Sequence, residues 1–305
     1  MKVGVFIAMC IVIPYASFTA QIGKYISENR PEGVILPDCY NEAPIVFCAA
    51  LGYILARSAF RVLFRKQILK IVPTRQSGSS EPLSEAEREA KAAKIEGHII
   101  DSLAYGSFTV SAYYLCMDKE WFPWWLGGHG ELHLWNKGLP FIESNHALIY
   151  LGYINAGYRI ENLYQHLMHH RGDSDFEEML LHDIVTVFLF FGYLVGNLVP
   201  IGTMIALLHD VCDVPFHTSK ALNTSIWPEY AVGPYVLGQL LWIWLRLVGF
   251  AIIIYSVYTT EYTEPLAHFQ VQMTMNTVYL GSLYSLHWIW FLMFQRLNLK
   301  LIRGA

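Results

Sequence analysis

His182, Asp183, His209, Asp210 and Asp213 lie within apolar runs of the chain. Near the middle of a helix in lipid an ionisable side chain costs about 2.5–3.5 kcal/mol by insertion scales, so several together mark a candidate site. Imidazole gives or takes a proton near neutral pH, and a carboxylate can orient it and balance its charge.

The two groups are expected at similar depth. At about 1.5 Å rise per residue, His182 lies roughly 22 Å from the Gly196-Asn197 breaker, and Asp210 and Asp213 lie roughly 15–20 Å from Pro200. Asp210 and Asp213, at i and i+3, are predicted to share a face turned toward His182, with His209 rotated away by about 100°. The competing expectation is a structural network in which Arg159 and Arg246 neutralise these aspartates. His287 is expected to be a hydrogen-bonded core histidine rather than a catalytic one.

The elements that must position these groups are helices in lipid. Of 305 residues, 54% are apolar and only 15% charged, against about a quarter charged in an average soluble domain. Apolar windows predict spans near 3–20, 43–64, 98–117, 145–165, 179–198, 200–217, 234–258 and 271–294. The first is read as a retained span rather than a signal peptide. Arg57 and Arg61 suggest that the second leaves the bilayer early, and Asn155, Arg159 and Glu161 require the fourth to face protein. The expected fold is an all-α polytopic membrane protein of about eight spans. An N-terminal transmembrane hairpin (1–64) and a soluble charged linker (65–97) precede a membrane domain (98–305).

Within the linker, Gly78-Ser79-Ser80 and Pro82 lead to Ser84, which with Glu87 forms a predicted capping box. Lys and Arg concentrate at the 65–97, 166–178 and 218–233 loops and at the C-terminus, which assigns those ends to the cytosolic or matrix side. Trp121, Trp124, Trp125 and Trp135 are predicted to form an interfacial aromatic belt. The net charge of −4, with the few basic residues clustered locally rather than spread as a phosphate-binding stripe, excludes a nucleic-acid footprint. Five widely spaced cysteines support neither a disulfide framework nor a cysteine-rich zinc site.

The stretch DFEEMLLHDIVTVFLFFGYLVGNLVPIGTMIALLHDVCDVPFHTSKALN, Asp175 to Asn223, resembles the signature of the TLC-domain family, and within it the ceramide synthases. Tyr105-Gly106, Trp121-Phe122-Pro123-Trp124, Arg246, Leu286-His287-Trp288 and Arg296 extend the resemblance over about residues 100 to 305. It implies a six-span bundle in the endoplasmic reticulum membrane. The implied reaction is acyl transfer to the amine of a sphingoid base, with acyl-coenzyme A as co-substrate and no bound cofactor. His182 matches the first of the family's two adjacent histidines, and His209, Asp210 and Asp213 match its later His-Asp-x-x-Asp element. Asp183 replaces the second histidine; a carboxylate there is a poor acyl carrier and is expected to be badly placed to orient His182. Two readings follow: His182 alone serves as nucleophile or base, or the fold persists as a lipid-binding or structural subunit beside other integral membrane subunits, for example in the mitochondrial inner membrane.

His129-Gly-Glu-Leu-His133 and His166-Leu-Met-His169-His170 have the spacing of the histidine boxes of membrane di-iron enzymes. They fall on opposite sides of the expected membrane and no third box accompanies them, so no metal ligands are assigned.

Overall fold

The computed structural model describes residues 2–75, 81–169, 176–260 and 267–303, and side chains over most of them. Gly78-Ser79-Ser80 and His170 lie outside the described residues. The helices are α1 (Lys2–Glu28), α2 (Cys39–Ile71), α3 (Glu85–Cys116), α4 (His146–His169), α5 (Phe176–Val195) and α6 (Val199–Thr224), followed by α7 (Val232–Leu241), α8 (Phe250–Tyr258) and α9 (Ala267–Arg303). A π-helical segment, Trp242–Gly249, joins α7 to α8 without a break, so the described residues form eight continuous rods. Each predicted span falls on one of these rods.

Among the described residues, four rods are long and apolar enough to cross a membrane: Asn41–Ile71, Phe176–Val195, Val199–Thr224 and Pro228–Tyr258. Burial separates their roles. In α6 72% of the apolar window is enclosed, against 6% in α2, so α6 is the axis of the bundle and α2 lies at its rim. Phe47, Leu51, Leu55, Val62 and Leu63 of α2 point outward, as suits a surface whose solvent is hydrocarbon.

α1 packs on α5 and α9, whereas α2 packs on α4 and α3. Residues 65–97 supply the end of α2 and the first turns of α3, where Ile68, Val72, Ala92 and Ile95 form a small core. Ser84 caps α3 and Glu87 returns the bond, completing the predicted box. The Ser84 hydrogen bonds hold the Glu87 carboxyl below its usual range. Arg61 and Arg65 both reach Glu96, which is buried, so the charges of α2 are matched by α3.

Trp135 departs from the predicted belt. It is fully buried, and its indole N–H donates to Ser256 at 3.0 Å, whereas Trp124 is largely exposed. Buried Asn197, with φ of 50°, turns α5 into α6 and donates to the carbonyls of Pro140 and Ile142. The turn is thereby tied to the 117–145 segment.

The α2–α4 crossing depends on a small residue. A Cβ on Gly157 would lie 2.6 Å from the Val46 carbonyl oxygen and 2.6 Å from Ala49 Cβ, so the backbones meet at close range. A Cβ on Gly52, on the outer part of α2, meets nothing. Gly157→Ala is expected to lower unfolding free energy in detergent by roughly 1–3 kcal/mol. Gly52→Ala should be neutral or stabilising by up to about 1 kcal/mol. Thermal unfolding of the two variants checks this.

Candidate functional site

Faces of α5, α6 and α9 form most of the wall of a cavity of about 760 Å³, its open mouth included, and Arg159 of α4 and Val257 of α8 complete it. From α5 come His182, Thr186, Leu189 and Tyr193, from α6 Gly202, Ile205, His209 and Asp213, and from α9 Met273, Asn276, Leu280 and Leu283. Each set recurs at three or four residues, the spacing of one helical face. From His182 to Tyr193 the wall runs about 16 Å along α5. Arg159, His182, His209 and Asp213 are its cationic, imidazole and carboxylate lining groups, Tyr193 and Asn276 add polar atoms and the rest is largely apolar, so the cavity is amphipathic.

Both aspartates of α6 are matched by arginines from other helices. Arg159 of α4 makes a direct ion pair with buried Asp210, and Asn155 donates to the other carboxylate oxygen at 3.3 Å. Arg159 is further enclosed by the rings of Tyr105, Tyr158 and Phe190, each within 6 Å of its guanidinium carbon. Arg246, on the π-helical segment, donates to Asp213 at 2.5 Å and to the His209 carbonyl at 2.9 Å, and lies 4.3 Å from the Trp242 ring centre. An inserted residue re-aims the side chains beyond it, and the π-helical turn here carries the arginine that α6 needs. The predicted neutralising network is therefore present.

The facing of α6 differs from expectation. Asp210 turns to α4, while His209 and Asp213, at i and i+4, share the cavity wall. The i, i+3 spacing leaves Asp210 and Asp213 far enough apart around the helix to meet different neighbours.

His209 is held at both nitrogens. The Ile205 carbonyl can only accept, so His209 Nδ1–H donates to it at 2.6 Å. In the neutral ring Nε2 then carries the lone pair and accepts from His287 Nε2–H at 3.2 Å. His287 is wholly buried and acts as the hydrogen-bonded core histidine expected of it.

His182 is different. Its Nδ1 lies 3.2 Å from Asp183 Oδ1 and its ring packs edge-on against Trp290. Asp183 is thus in contact with its neighbour on the same helix, contrary to the expectation that it is badly placed. The contact fixes the proton on Nδ1 and leaves the Nε2 lone pair on a ring at the cavity wall.

Among the described histidine-box residues, His133 and His166 lie apart. His133 is exposed beside Glu131 in the loop before α4, and His166 lies near the other end of that helix, its Nε2 3.2 Å from the Phe176 carbonyl. Sequence reasoning passed over Asn155 as a partner of Asp210, and over His98, Asp101 and His217. The i, i+3 spacing of His98 and Asp101 was visible, but their partner on α6 was not.

A family model described as the TLC domain matches residues 94–296. ASC1-like protein 3 of Oryza sativa subsp. japonica is 26% identical over 247 residues, 80% of this chain and 82% of that protein. Ceramide synthase 5 of Homo sapiens is 30% identical over 132 residues, 43% of this chain and 33% of its own length. Ceramide synthase 4 of Bos taurus is 35% identical over 78 residues, 25% of this chain and 20% of that protein. The chain therefore spans a third or less of either ceramide synthase, but most of the Oryza protein.

Removing one member of a buried ion pair strands the other charge, which costs about 3–5 kcal/mol, whereas replacing both with apolar groups is often near neutral. Asp210→Leu and Arg159→Met should each destabilise by that amount, and the double variant should recover most of it. Denaturant unfolding of all four proteins measures the coupling.

Proposed function

The chain belongs to the TLC-domain family; we propose that it is an integral membrane acyltransferase that moves an acyl group from acyl-coenzyme A to the amine of a long-chain sphingoid base. The observation that carries this reading is the His182–Asp183 contact at the wall of an amphipathic cavity. An acyl chain has an apolar body and one polar end, and the cavity offers an apolar wall with His182, His209 and Arg159 among its polar groups. The names of the two ceramide synthases support an amine acceptor.

In the proposed reaction the amine nitrogen attacks the thioester carbonyl carbon and His182 Nε2 takes the proton that the nitrogen loses. Asp183 holds the ring in the required tautomer and balances the imidazolium charge. Arg159 Nε is a buried donor with no protein partner, on a residue of the same wall, and suits the oxygen that becomes negative. Collapse of the tetrahedral intermediate breaks the carbon–sulfur bond, and the leaving thiolate takes the proton back from His182. The products are an amide and free coenzyme A. On this reading Asp183 replaces the second histidine of the family pair as an orienting group rather than as an acyl carrier. By the same family resemblance the membrane is that of the endoplasmic reticulum.

One observation favours a second reading, in which the bundle is kept as a lipid-binding or structural subunit of a larger membrane assembly. His209, Asp210 and Asp213 all have partners within the protein, so a lipid cavity would remain even without chemistry.

Purified protein should form N-acylated sphingoid base from acyl-coenzyme A, and His182→Ala should lower the rate by about 10²–10⁴-fold, the usual contribution of a general base. Product detection by mass spectrometry checks both. No product from the native protein, with product from Asp183→His, would mean that the fold has outlived the reaction.

A further inference from the structure

One turn beyond Asp213, His217 of α6 meets His98 and Asp101 of α3. One ligand atom from each of the three residues lies within 4.8 Å of the others. His98 Nδ1 and His217 Nδ1 are 3.3 Å apart, and His217 Nδ1 is 3.5 Å from Asp101 Oδ2. A tetrahedral zinc ion with Zn–N of about 2.0–2.1 Å and Zn–O of about 2.0–2.2 Å spaces its ligand atoms about 3.3–3.5 Å apart. The two measured edges have that length.

We propose that His98, Asp101 and His217 form a site for a divalent transition metal of the zinc class, with three protein ligands and a fourth position open. Two imidazoles and one carboxylate suit such an ion better than they suit calcium or magnesium, which prefer all-oxygen shells. The surroundings orient the carboxylate as a ligand. Asp101 Oδ1 accepts from Arg57 at 2.9 Å and from the Tyr158 hydroxyl at 3.0 Å, and Oδ2 is the oxygen turned to His217. Outer partners of this kind fix a ligand's direction. Beside the site, the Ser102 and Thr218 hydroxyls, 3.0 Å apart, join the same two helices. The Asp101 and His217 side chains retain 18% and 19% exposure, so an ion has a path in. Without a metal, the two facing Nδ1 atoms share a single hydrogen bond between the rings. With one, the ion joins α3 to the helix that carries His209, Asp210 and Asp213.

The test uses the full chain purified in detergent without a histidine tag, stripped by a chelator and titrated with Zn²⁺ alone, then with Co²⁺. The expected result is one Zn²⁺ per chain and the visible Co²⁺ spectrum of a tetrahedral site. His98→Gln and His217→Gln should each weaken Zn²⁺ binding by at least about 10-fold while helicity in the metal-free state is unchanged. Should either glutamine variant fail to fold, His98→Cys keeps a zinc ligand and should add a sulfur-to-cobalt charge-transfer band. Failure of the native chain to take up stoichiometric Zn²⁺, uptake unaffected by the glutamine substitutions, or a cysteine variant without that band would overturn the proposal.

Discussion

The bundle is arranged around the need to neutralise two carboxylates on its most enclosed helix. α6 carries Asp210 and Asp213 one turn apart, and neither can stay ionised in an apolar interior without a partner. Arg159 reaches the first from α4 and Arg246 the second from the π-helical segment, so two further elements are fixed in rotation and register against α6. The same requirement recurs at the rim, where Arg57 of α2 bridges Glu161 of α4 and Asp101 of α3. Between helices in lipid such links matter because there is little hydrophobic drive to pack one apolar helix on another.

This arrangement assigns different work to residues that look alike in sequence. Asp210 and Asp213 hold α6 in place, and His209 has both nitrogens committed, one to Ile205 and one to His287. His182, in contact with Asp183, is an imidazole at the cavity wall, and on the proposed reading its second nitrogen is the one that meets the substrate. On the proposed reading, Asp183 in place of a second histidine changes how His182 is held.

Much of the fold could be read from local pattern. Apolar windows located all eight rods, Ser84 and Glu87 marked the start of α3, and the polar residues of α4 required that helix to face inward. Asn155, Arg159 and Glu161 are indeed all buried. What sequence did not fix was rotation between helices. The i, i+3 rule grouped Asp210 with Asp213, but packing turned one to α4 and the other to Arg246. It equally hid the meeting of His98 and His217, and it left Trp135 assigned to an interface when tertiary contacts bury it. The His182–Asp183 contact was missed because neighbouring side chains normally diverge on a helix.

Single-turnover acyl transfer by Asp183→Asn and Asp213→Asn, each corrected for its folded fraction, tests the division of labour most directly. An amide at position 183 can no longer hold the right tautomer of His182, so the rate per folded molecule should fall by about 10²-fold or more. Asp213→Asn should lower the unfolding temperature yet leave the rate per folded molecule within several-fold of the native value. The opposite ranking, with Asp213→Asn silencing the reaction and Asp183→Asn leaving it intact, would contradict the account.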